Sequence, residues 1–253
     1  MPSIAENQRI WTTYNWAKGG EEWSEQWGTS RAQWAGCIHP RIFPFLKGRV
    51  LEIAPGYGRW TQFLIAHCSE LIGVDLAANC VEHCRRRFAG RPGLAFEVND
   101  GLKLPMIEDA SIDFAFSFDS LVHAEADVMA SYAHELARVL KPSAIAFLHH
   151  SNLGGVQHSS WDELNRRLAG APYSEHLRAR SMSAAVMRQL VEQAEMSCLQ
   201  QELVSWGTGW PLLTDCMSTI VRAPGQTCNV FESAHFREEA AAAKRISALG
   251  TRC

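Results

Sequence analysis

The sequence predicts an α/β protein with a Rossmann-like, mostly parallel sheet of seven strands, helices on both faces, an antiparallel carboxyl-terminal hairpin and an aromatic, helical amino-terminal cover. Two observations predict this fold class. Short apolar runs alternate with helical patterns, as a parallel sheet with right-handed crossovers requires. In addition, residues 49–63 combine an apolar run, a tight glycine turn and the start of a helix, which is the local arrangement of a nucleotide site.

We expect a single domain over residues 1–253. Hydrophobic residues make up 47% of the chain and charged residues 20%, which is typical of a globular protein, and no repeat or low-complexity linker divides it. The expected parts, in chain order, are a helical cover (1–47), a cofactor-binding core (48–150), a substrate-side insertion (151–182), the last helix and hairpin (183–224) and a helical tail (225–253).

The amino-terminal segment is rich in tryptophan and should begin with a helix over about 3–16. Five tryptophans lie in it: Trp11, Trp16, Trp23, Trp27 and Trp34. These rings either seal one end of the core or form a lid over a ligand, and the sequence leaves both interpretations open.

The central part of the chain alternates strands and helices, with polar residues at the strand ends. We expect strands over about 49–54, 71–75, 94–98, 112–118 and 144–149, and helices over about 59–67, 78–88 and 125–140, the last one stopped by Lys141-Pro142. Because the carboxyl ends of parallel strands share one edge of the sheet, their polar residues should collect there. These residues are Glu52, Asp75, Asp100, Asp119, His149 and His150.

The carboxyl-terminal part continues with an insertion that has a short helix at about 161–168, then a helix over 183–195. Two further strands, at about 198–206 and 215–221, are joined by a link too short for a parallel crossover, which predicts an antiparallel hairpin at the sheet edge. A last helix over 232–249 should pack on the surface or on a second subunit, so a homo-oligomer is one expectation.

Composition argues against several classes of protein. With a net charge of −3, no basic excess points to a nucleic-acid partner. The first residues do not have the pattern of a signal peptide, and no run of about 18 apolar residues occurs, so we expect a soluble, cytoplasmic protein without membrane partners. Eight cysteines without a C-x-x-C pair suit reduced thiols. Cys80, His83 and Cys84 have no second ligand pair, so zinc is not expected.

The glycine turn decides between two cofactor classes. A dinucleotide fingerprint requires G-x-G-x-x-G, but after Gly56 and Gly58 the third position is Thr61. Glu52 lies inside the first strand, close to where a pyrophosphate would lie. An acid beside a glycine turn favours a cationic ligand, which argues against a nicotinamide-dependent oxidoreductase.

The segment Glu52-Ile-Ala-Pro-Gly56-Tyr-Gly58 resembles motif I of the class I S-adenosylmethionine-dependent methyltransferases, although Pro55 departs from its commonest form. The resemblance spans about residues 48–222. It implies that Glu52 helps to hold the aminoacyl end of the cofactor, that Asp75 takes both ribose hydroxyls and that Asp100 accepts from the adenine amine. Arg59 either contacts the cofactor carboxylate or is a solvated residue of the first helical turn. The implied cofactor-binding residues are Glu52, Ala54, Gly56, Gly58, Arg59, Asp75, Leu76, Asn99, Asp100, Gly101, Phe118 and Asp119.

Longer strings are similar to a narrower group, the bacterial sugar O-methyltransferases of polysaccharide and glycosylated natural-product pathways. These strings are EIAPGYGRWTQFL, SFDSLVHAEADV, ELARVLKP, FLHHSN, YNW with GEEWSEQWG, and DCMST. The resemblance implies transfer of a methyl group to a hydroxyl of a sugar or glycoside. A small-molecule methyltransferase acting on a phenol, carboxylate or amine, and a non-catalytic cofactor-binding protein, are the alternatives.

Methylation of an alcohol requires an aligned oxygen and loss of its proton, for which histidine is the commonest base near neutral pH. We expect His149 to be the base, with His150 supporting it or purely structural, because neighbours in a strand point to opposite faces. His123 and Glu125 form the competing acid/base group, unless Glu125 caps the next helix. Asp119, His149 or His150, and Asp215 are the candidate ligands of a Mg²⁺ ion that would acidify the sugar hydroxyl.

Overall fold

The protein is built around an eight-stranded sheet with the order β3-β2-β1-β4-β5-β7-β6-β8. The computed structural model describes residues 3–156, 178–205, 213–233 and 236–250. The strands are β1 (Arg49–Ile53), β2 (Glu70–Asp75), β3 (Leu94–Val98), β4 (Ile112–Ser117), β5 (Leu140–Ser151), β6 (Ser197–Val204), β7 (Asp215–Val221) and β8 (Asn229–Ser233). The predicted α/β class is confirmed, and the sheet has one strand more than predicted.

Helices cover both faces of this sheet. In the described residues they are α1 (Ile4–Thr13), α2 (Ser30–Gln33), α3 (His39–Ile42), α4 (Thr61–Leu64), α5 (Ala78–Arg87), α6 (Ala126–Val139), α7 (Ala184–Gln193) and α8 (Phe236–Gly250). Strands β1 to β5 pair in parallel, and β7 pairs antiparallel with both β5 and β6. The predicted antiparallel pairing is therefore confirmed, whereas the helix predicted near 161–168 lies outside the described residues.

Two predicted boundaries were wrong. The helix expected over 59–67 is only the single turn α4, because the residues after it make i→i−3 hydrogen bonds: the N–H of Ala66 donates to Phe63 and that of His67 to Leu64. Strand β5 begins at Leu140, well before the predicted start, and includes Pro142. Proline pushes the preceding residue into extended geometry, so α6 ends at Val139 and the chain passes directly into the strand, with Ser143 at φ 60° and a register shift against β4.

The carboxyl-terminal tail also differs from the prediction. Strand β8 pairs in parallel with β6, so the hairpin does not form the sheet edge. Helix α8 then packs on the amino-terminal cover of the same chain: the ring of Phe236 lies edge-on to Trp27 at 5.1 Å, and Ala243 packs against Gly36. The two ends of the described chain thereby cover one face of the sheet together.

Apolar side chains form one cluster on each side of the sheet. The first joins the sheet to α6 and α7 through residues such as Leu136 and Met187, and the second joins it to α5 and the cover through Trp27, Trp34 and Ile38. Trp27 and Trp34 therefore seal the core. Among the described residues, no helix is both long and apolar enough to span a membrane.

Arg41 links three separate elements through charge. Its guanidinium donates two hydrogen bonds of 2.7 Å to Glu202 of β6 and two more, of 3.0 and 3.1 Å, to Glu239 of α8. The Arg41 side chain is 14% exposed and that of Glu202 5%, so water screens the pair weakly.

We predict that Arg41→Leu lowers the free energy of unfolding by about 3–5 kcal/mol, because the Glu202 carboxylate stays buried without its cation. Denaturant unfolding of the full chain measures this value. The matched control is Arg86→Leu, which removes an exposed i,i+4 pair with Glu82 and should cost less than about 1 kcal/mol. Equal losses in the two variants would contradict the role assigned to Arg41.

Candidate active site

A cavity lies at the carboxyl edge of the sheet, beneath the amino-terminal cover. Most of the cofactor residues implied by the sequence line it: Ala54, Gly56, Arg59, Asp75, Leu76, Asn99, Gly101, Phe118 and Asp119. The cover contributes Ile4, Asn7, Trp11, Trp16, Gly20 and Trp23, and the segment after β4 contributes Leu121, His123, Ala124, Val128 and Tyr132. Trp11, Trp16 and Trp23 therefore line the cavity, while Trp27 and Trp34 belong to the core.

The turn after β1 contains three positions with different roles. A side chain at Gly56 would meet the ring of Trp16 at 3.0 Å, so this glycine lets the cover approach the turn. A side chain at Gly58 would meet Phe88 at 2.6 Å; Gly58 thus allows packing on α5 and does not line the cavity. Ala54 has a left-handed φ of 57°, so the departure from the glycine pattern that strains the backbone is at Ala54, not at Pro55.

Asp75 ends β2 with its carboxylate directed at the turn. One oxygen accepts from the backbone N–H of Gly56 at 3.0 Å and the other from that of Ala77 at 2.9 Å. Burial raises the pKa of Asp75 to about 6 despite these hydrogen bonds. Each carboxylate oxygen has a second lone pair, so Asp75 can still accept from two hydroxyl groups at the cavity wall.

Glu52 lies below the turn and does not line the cavity. Thr61 donates a 2.6 Å hydrogen bond to its Oε2 atom, while Oε1 is buried without a hydrogen-bond partner in the described structure. Burial is the main cause that raises the pKa of Glu52, to about 8. The acid is therefore a buried carboxyl one layer beneath the wall.

The segment after β3 places its polar side chains differently from the implied arrangement. Asp100 is exposed, and its Oδ1 accepts from the N–H groups of Leu102 and Lys103 at 2.8 and 2.7 Å, which lowers its pKa. The preceding Asn99 is buried and lines the cavity, where its amide donates to the hydroxyl of Tyr132 at 2.9 Å. Nothing in the sequence beyond a helical pattern singled out Tyr132.

Five charged or titratable groups form a continuous, largely buried chain that starts at the cavity wall and runs behind it. Arg59 donates to Asp119 at 2.6 Å, and the His149 ring lies 3.2 Å from Asp119 on one side and 3.4 Å from Asp215 on the other. Arg178 donates two hydrogen bonds, of 2.5 and 2.8 Å, to Asp215. Arg59 is 6% exposed and its guanidinium lies 4.3 Å from the Trp60 ring, so it is not a solvated residue of the first turn.

Neither of the paired histidines lines the cavity. His149 is fully buried behind Phe118 and Asp119. Burial lowers its pKa, but the contacts with Asp119 and Asp215 outweigh that effect and the pKa is raised. His150 points to the other face, as strand alternation predicts, and bonds Ser218 at 2.8 Å; burial lowers its pKa to about 4.

The two residues of the competing acid/base group, His123 and Glu125, lie in different surroundings. His123 lines the cavity, with its ring 5.4 Å from that of Trp11. Glu125 does not line it: the carboxylate accepts from the N–H and hydroxyl of Ser181 at 3.0 and 2.5 Å. Its side chain makes no cap bond to α6. Of the four residues predicted for catalysis, His123 alone reaches the cavity.

The residues predicted to hold a metal do not fit Mg²⁺. Asp119, His149 and Asp215 come together, but each carboxylate already binds an arginine, and His150 faces away. In the described part of the chain no group of three His, Cys, Asp or Glu residues could hold a metal ion. The cavity does fit S-adenosylmethionine, because a sulfonium suits aromatic faces such as those of Trp11, Trp16 and Phe118, and the Asp75 carboxylate suits a ribose diol.

This mixed α/β, Rossmann-like fold is that of the methyltransferases, and comparisons with known proteins agree. Residues 50–143 match the family described as "Methyltransferase domain". The matched segment runs from β1 to the start of β5, so this part of the chain is similar to a methyltransferase domain. The chain is similar to the biotin biosynthesis bifunctional protein BioHC of Cellvibrio japonicus, with 33% identity over 154 residues. These residues are 60% of this chain and 28% of that protein, so the chain spans little more than a quarter of its relative's length.

Solved structures show the same fold at low identity. A putative sarcosine dimethylglycine methyltransferase from Galdieria sulphuraria has a TM-score of 0.57 and 15% identity, over 76% of this chain and 86% of that one. An S-adenosylmethionine-dependent methyltransferase from Leishmania major has a TM-score of 0.61 and 12% identity, over 86% of this chain and 82% of that one. Each likeness concerns the fold alone.

We predict that Glu52→Gln stabilises the protein increasingly as the pH rises. Between about pH 4.5, the ordinary pKa, and about pH 8, the folded protein keeps a proton on Glu52 that the unfolded chain releases, so this residue makes stability fall with rising pH. Glutamine does not titrate, so the free energy of unfolding of Glu52→Gln should exceed that of the unchanged protein by a few kcal/mol above pH 8. This difference should vanish below pH 5. Thermal unfolding at pH 5 and 8.5 measures it. Glu82→Gln, at an exposed site, is the control, and a pH-independent effect of Glu52→Gln would contradict the burial argument.

Proposed function

We propose that the chain is an S-adenosylmethionine-dependent O-methyltransferase that methylates a hydroxyl of a sugar or glycoside. One observation carries the proposal: a single cavity collects the motif residues that follow β1, β2, β3 and β4, as the cofactor resemblance requires. The bound cofactor would supply a methyl group activated on a sulfonium. Asp75 would hold the ribose, and the Gly56 turn would lie against the cofactor chain.

The acceptor side supports a small polyhydroxylated substrate. Trp11 and Trp23 offer flat apolar faces that can stack on a sugar ring, and Asn7, Ser120 and His123 supply hydrogen-bonding groups between them. The sequence strings shared with sugar O-methyltransferases favour the same class of acceptor. The aromatic lining also suits a phenol, which keeps a small-molecule methyltransferase of that kind as the second candidate.

His123 is the proposed general base. In-line transfer needs a group at the cavity that takes the hydroxyl proton, and His123 lies at the wall whereas His149 reaches the cavity only through Asp119. The Arg59–Asp119 pair forms the neighbouring part of the wall and keeps this region polar. Alignment of the acceptor oxygen against these fixed groups would supply the rest of the rate enhancement.

An acceptor screen tests the proposed function. Purified protein is incubated with labelled S-adenosylmethionine and sugars, glycosides, phenols, carboxylic acids and amines, each with and without EDTA. We expect transfer to a sugar or glycoside at the same rate in EDTA, because the candidate metal ligands are paired with arginines. Transfer only to phenols, acids or amines would overturn the sugar assignment. Loss of activity in EDTA would restore a Mg²⁺ ion to the proposed mechanism.

We predict that His123→Gln lowers turnover by about 100-fold to 10,000-fold and leaves the affinity for S-adenosylhomocysteine within about twofold, because only proton removal is lost. Steady-state kinetics and calorimetry separate the two effects. His134→Gln, on the exposed side of α6, is the control and should match the unchanged protein. Full turnover in His123→Gln would remove it as the base.

A further inference from the structure

The segment that carries His123 into the cavity begins at a strained residue. Strand β4 ends at Ser117, and Asp119, two residues further on, has a left-handed φ of 64°. Such a backbone costs a residue other than glycine about 1–3 kcal/mol and persists only where its surroundings hold it. The chain then runs through Ser120 and Leu121 to His123, and all three line the cavity. The backbone of Asp119 therefore sets the direction in which His123 enters the cavity.

His149 holds both the main chain and the side chain of Asp119. Its Nδ1 atom lies 3.1 Å from the backbone nitrogen of Asp119 and 3.2 Å from the Oδ1 atom. A neutral Nδ1 accepts from the first and a protonated Nδ1 donates to the second, so the contact exists in either state of the ring. On the other side, Nε2 lies 3.4 Å from Oδ2 of Asp215. The ring is thus fixed between two carboxylates.

Arg178 fixes the far carboxylate. Its Nε donates to one oxygen of Asp215 at 2.5 Å, and a terminal nitrogen donates to the other at 2.8 Å. The Asp215 side chain is fully buried, and that of Arg178 is 30% exposed. Two hydrogen bonds from one planar guanidinium fix the orientation of a carboxylate as well as its charge. Neither residue lines the cavity, so any effect on the reaction passes through His149.

The same short stretch of chain also holds the far end of the His123 segment. The backbone N–H of Ala179, next to Arg178, donates to the carbonyl oxygen of Val122 at 2.8 Å. The carbonyl oxygen of Ala179 in turn accepts from the hydroxyl of Ser151 at 2.6 Å. The segment is therefore held at Asp119 through side chains and at Val122 through the backbone.

We propose that Arg178 and Asp215 are positioning residues of the transfer reaction, which act through His149 and Asp119 to fix His123 against the acceptor hydroxyl. This inference rests on the proposed function, in which His123 takes the hydroxyl proton. Proton transfer needs the ring nitrogen within hydrogen-bond reach of the hydroxyl, and a misplacement of about 1 Å can cost about 100-fold in rate.

Arg178→Met in the full chain tests the inference. We expect turnover to fall about 10-fold to 100-fold. The affinity for S-adenosylhomocysteine should stay within about threefold, because Asp75 and the Gly56 turn lie outside this network. The matched control is Arg138→Met: that arginine is also 30% exposed and paired with carboxylates, but it does not line the cavity or contact the His123 segment. Its turnover should equal that of the unchanged protein.

A double variant separates positioning from a general loss of structure. If Arg178 acts through His123, Arg178→Met should change turnover less than about twofold when His123→Gln is already present, because independent effects would multiply. Equal turnover of Arg178→Met and Arg138→Met would overturn the inference. A full additional loss in the His123→Gln background would also overturn it.

Histidine ring signals in the nuclear magnetic resonance spectrum of ¹⁵N-histidine-labelled protein need no acceptor. The His123 signal is identified by its absence in His123→Gln, and we expect it to shift in Arg178→Met but not in Arg138→Met. An unshifted His123 signal in Arg178→Met would overturn the inference. Full turnover in His123→Gln, or no transfer to any acceptor, would instead overturn the proposed function, while the signal still decides whether Arg178 positions the ring.

Thermal unfolding verifies that each variant is folded. If Arg178→Met fails to fold because Asp215 stays buried without its cation, Arg178→Met combined with Asp215→Asn removes both charges, and the same expectations apply to that pair.

Discussion

The largely buried chain Arg59–Asp119–His149–Asp215–Arg178 is the constraint on which the site depends. Each charge in it would be expensive to bury alone, and each is stabilised by its neighbours. The groups come from the turn after β1, from the end of β4, from β5, from β7 and from the segment before α7, so five separate parts of the chain must assemble before the charges are satisfied. The left-handed backbone of Asp119, with φ 64°, is held by this network.

The amino-terminal cover forms one side of the cavity. Trp16 packs against Gly56 and stacks on Tyr57, with ring centroids 4.6 Å apart, so the cover rests on the turn that should approach the cofactor. Burial raises the pKa of Glu52 and that of Asp75, because both carboxylates are buried more deeply than their hydrogen bonds can offset. An aromatic wall with a few fixed polar groups is a surface on which a cation and a flat base can bind.

Much of this arrangement could be predicted from local sequence. Alternating strand and helix patterns placed polar residues at one sheet edge, and the structure brings nine of the twelve implied cofactor residues to one cavity. Alternation along β5 also predicted that His149 and His150 would point to opposite faces. It could not show that His149 lies behind Asp119, because that position depends on pairing with β7 and on the arginines Arg59 and Arg178, which are distant in sequence.

Other features were beyond local reasoning for similar reasons. Strand β8 has only five residues and is largely exposed, so no alternation of buried and exposed positions marks it in the sequence. It forms by pairing with β6, which is a contact between distant parts of the chain.

The central claim is that the cavity at the carboxyl edge binds an S-adenosyl cofactor. A crystal structure with S-adenosylhomocysteine bound tests it most directly. The account predicts the ribose hydroxyls on Asp75 and the chain of the ligand along the Gly56 turn; a ligand bound outside this cavity, with Asp75 still bonded only to backbone N–H groups, would contradict it.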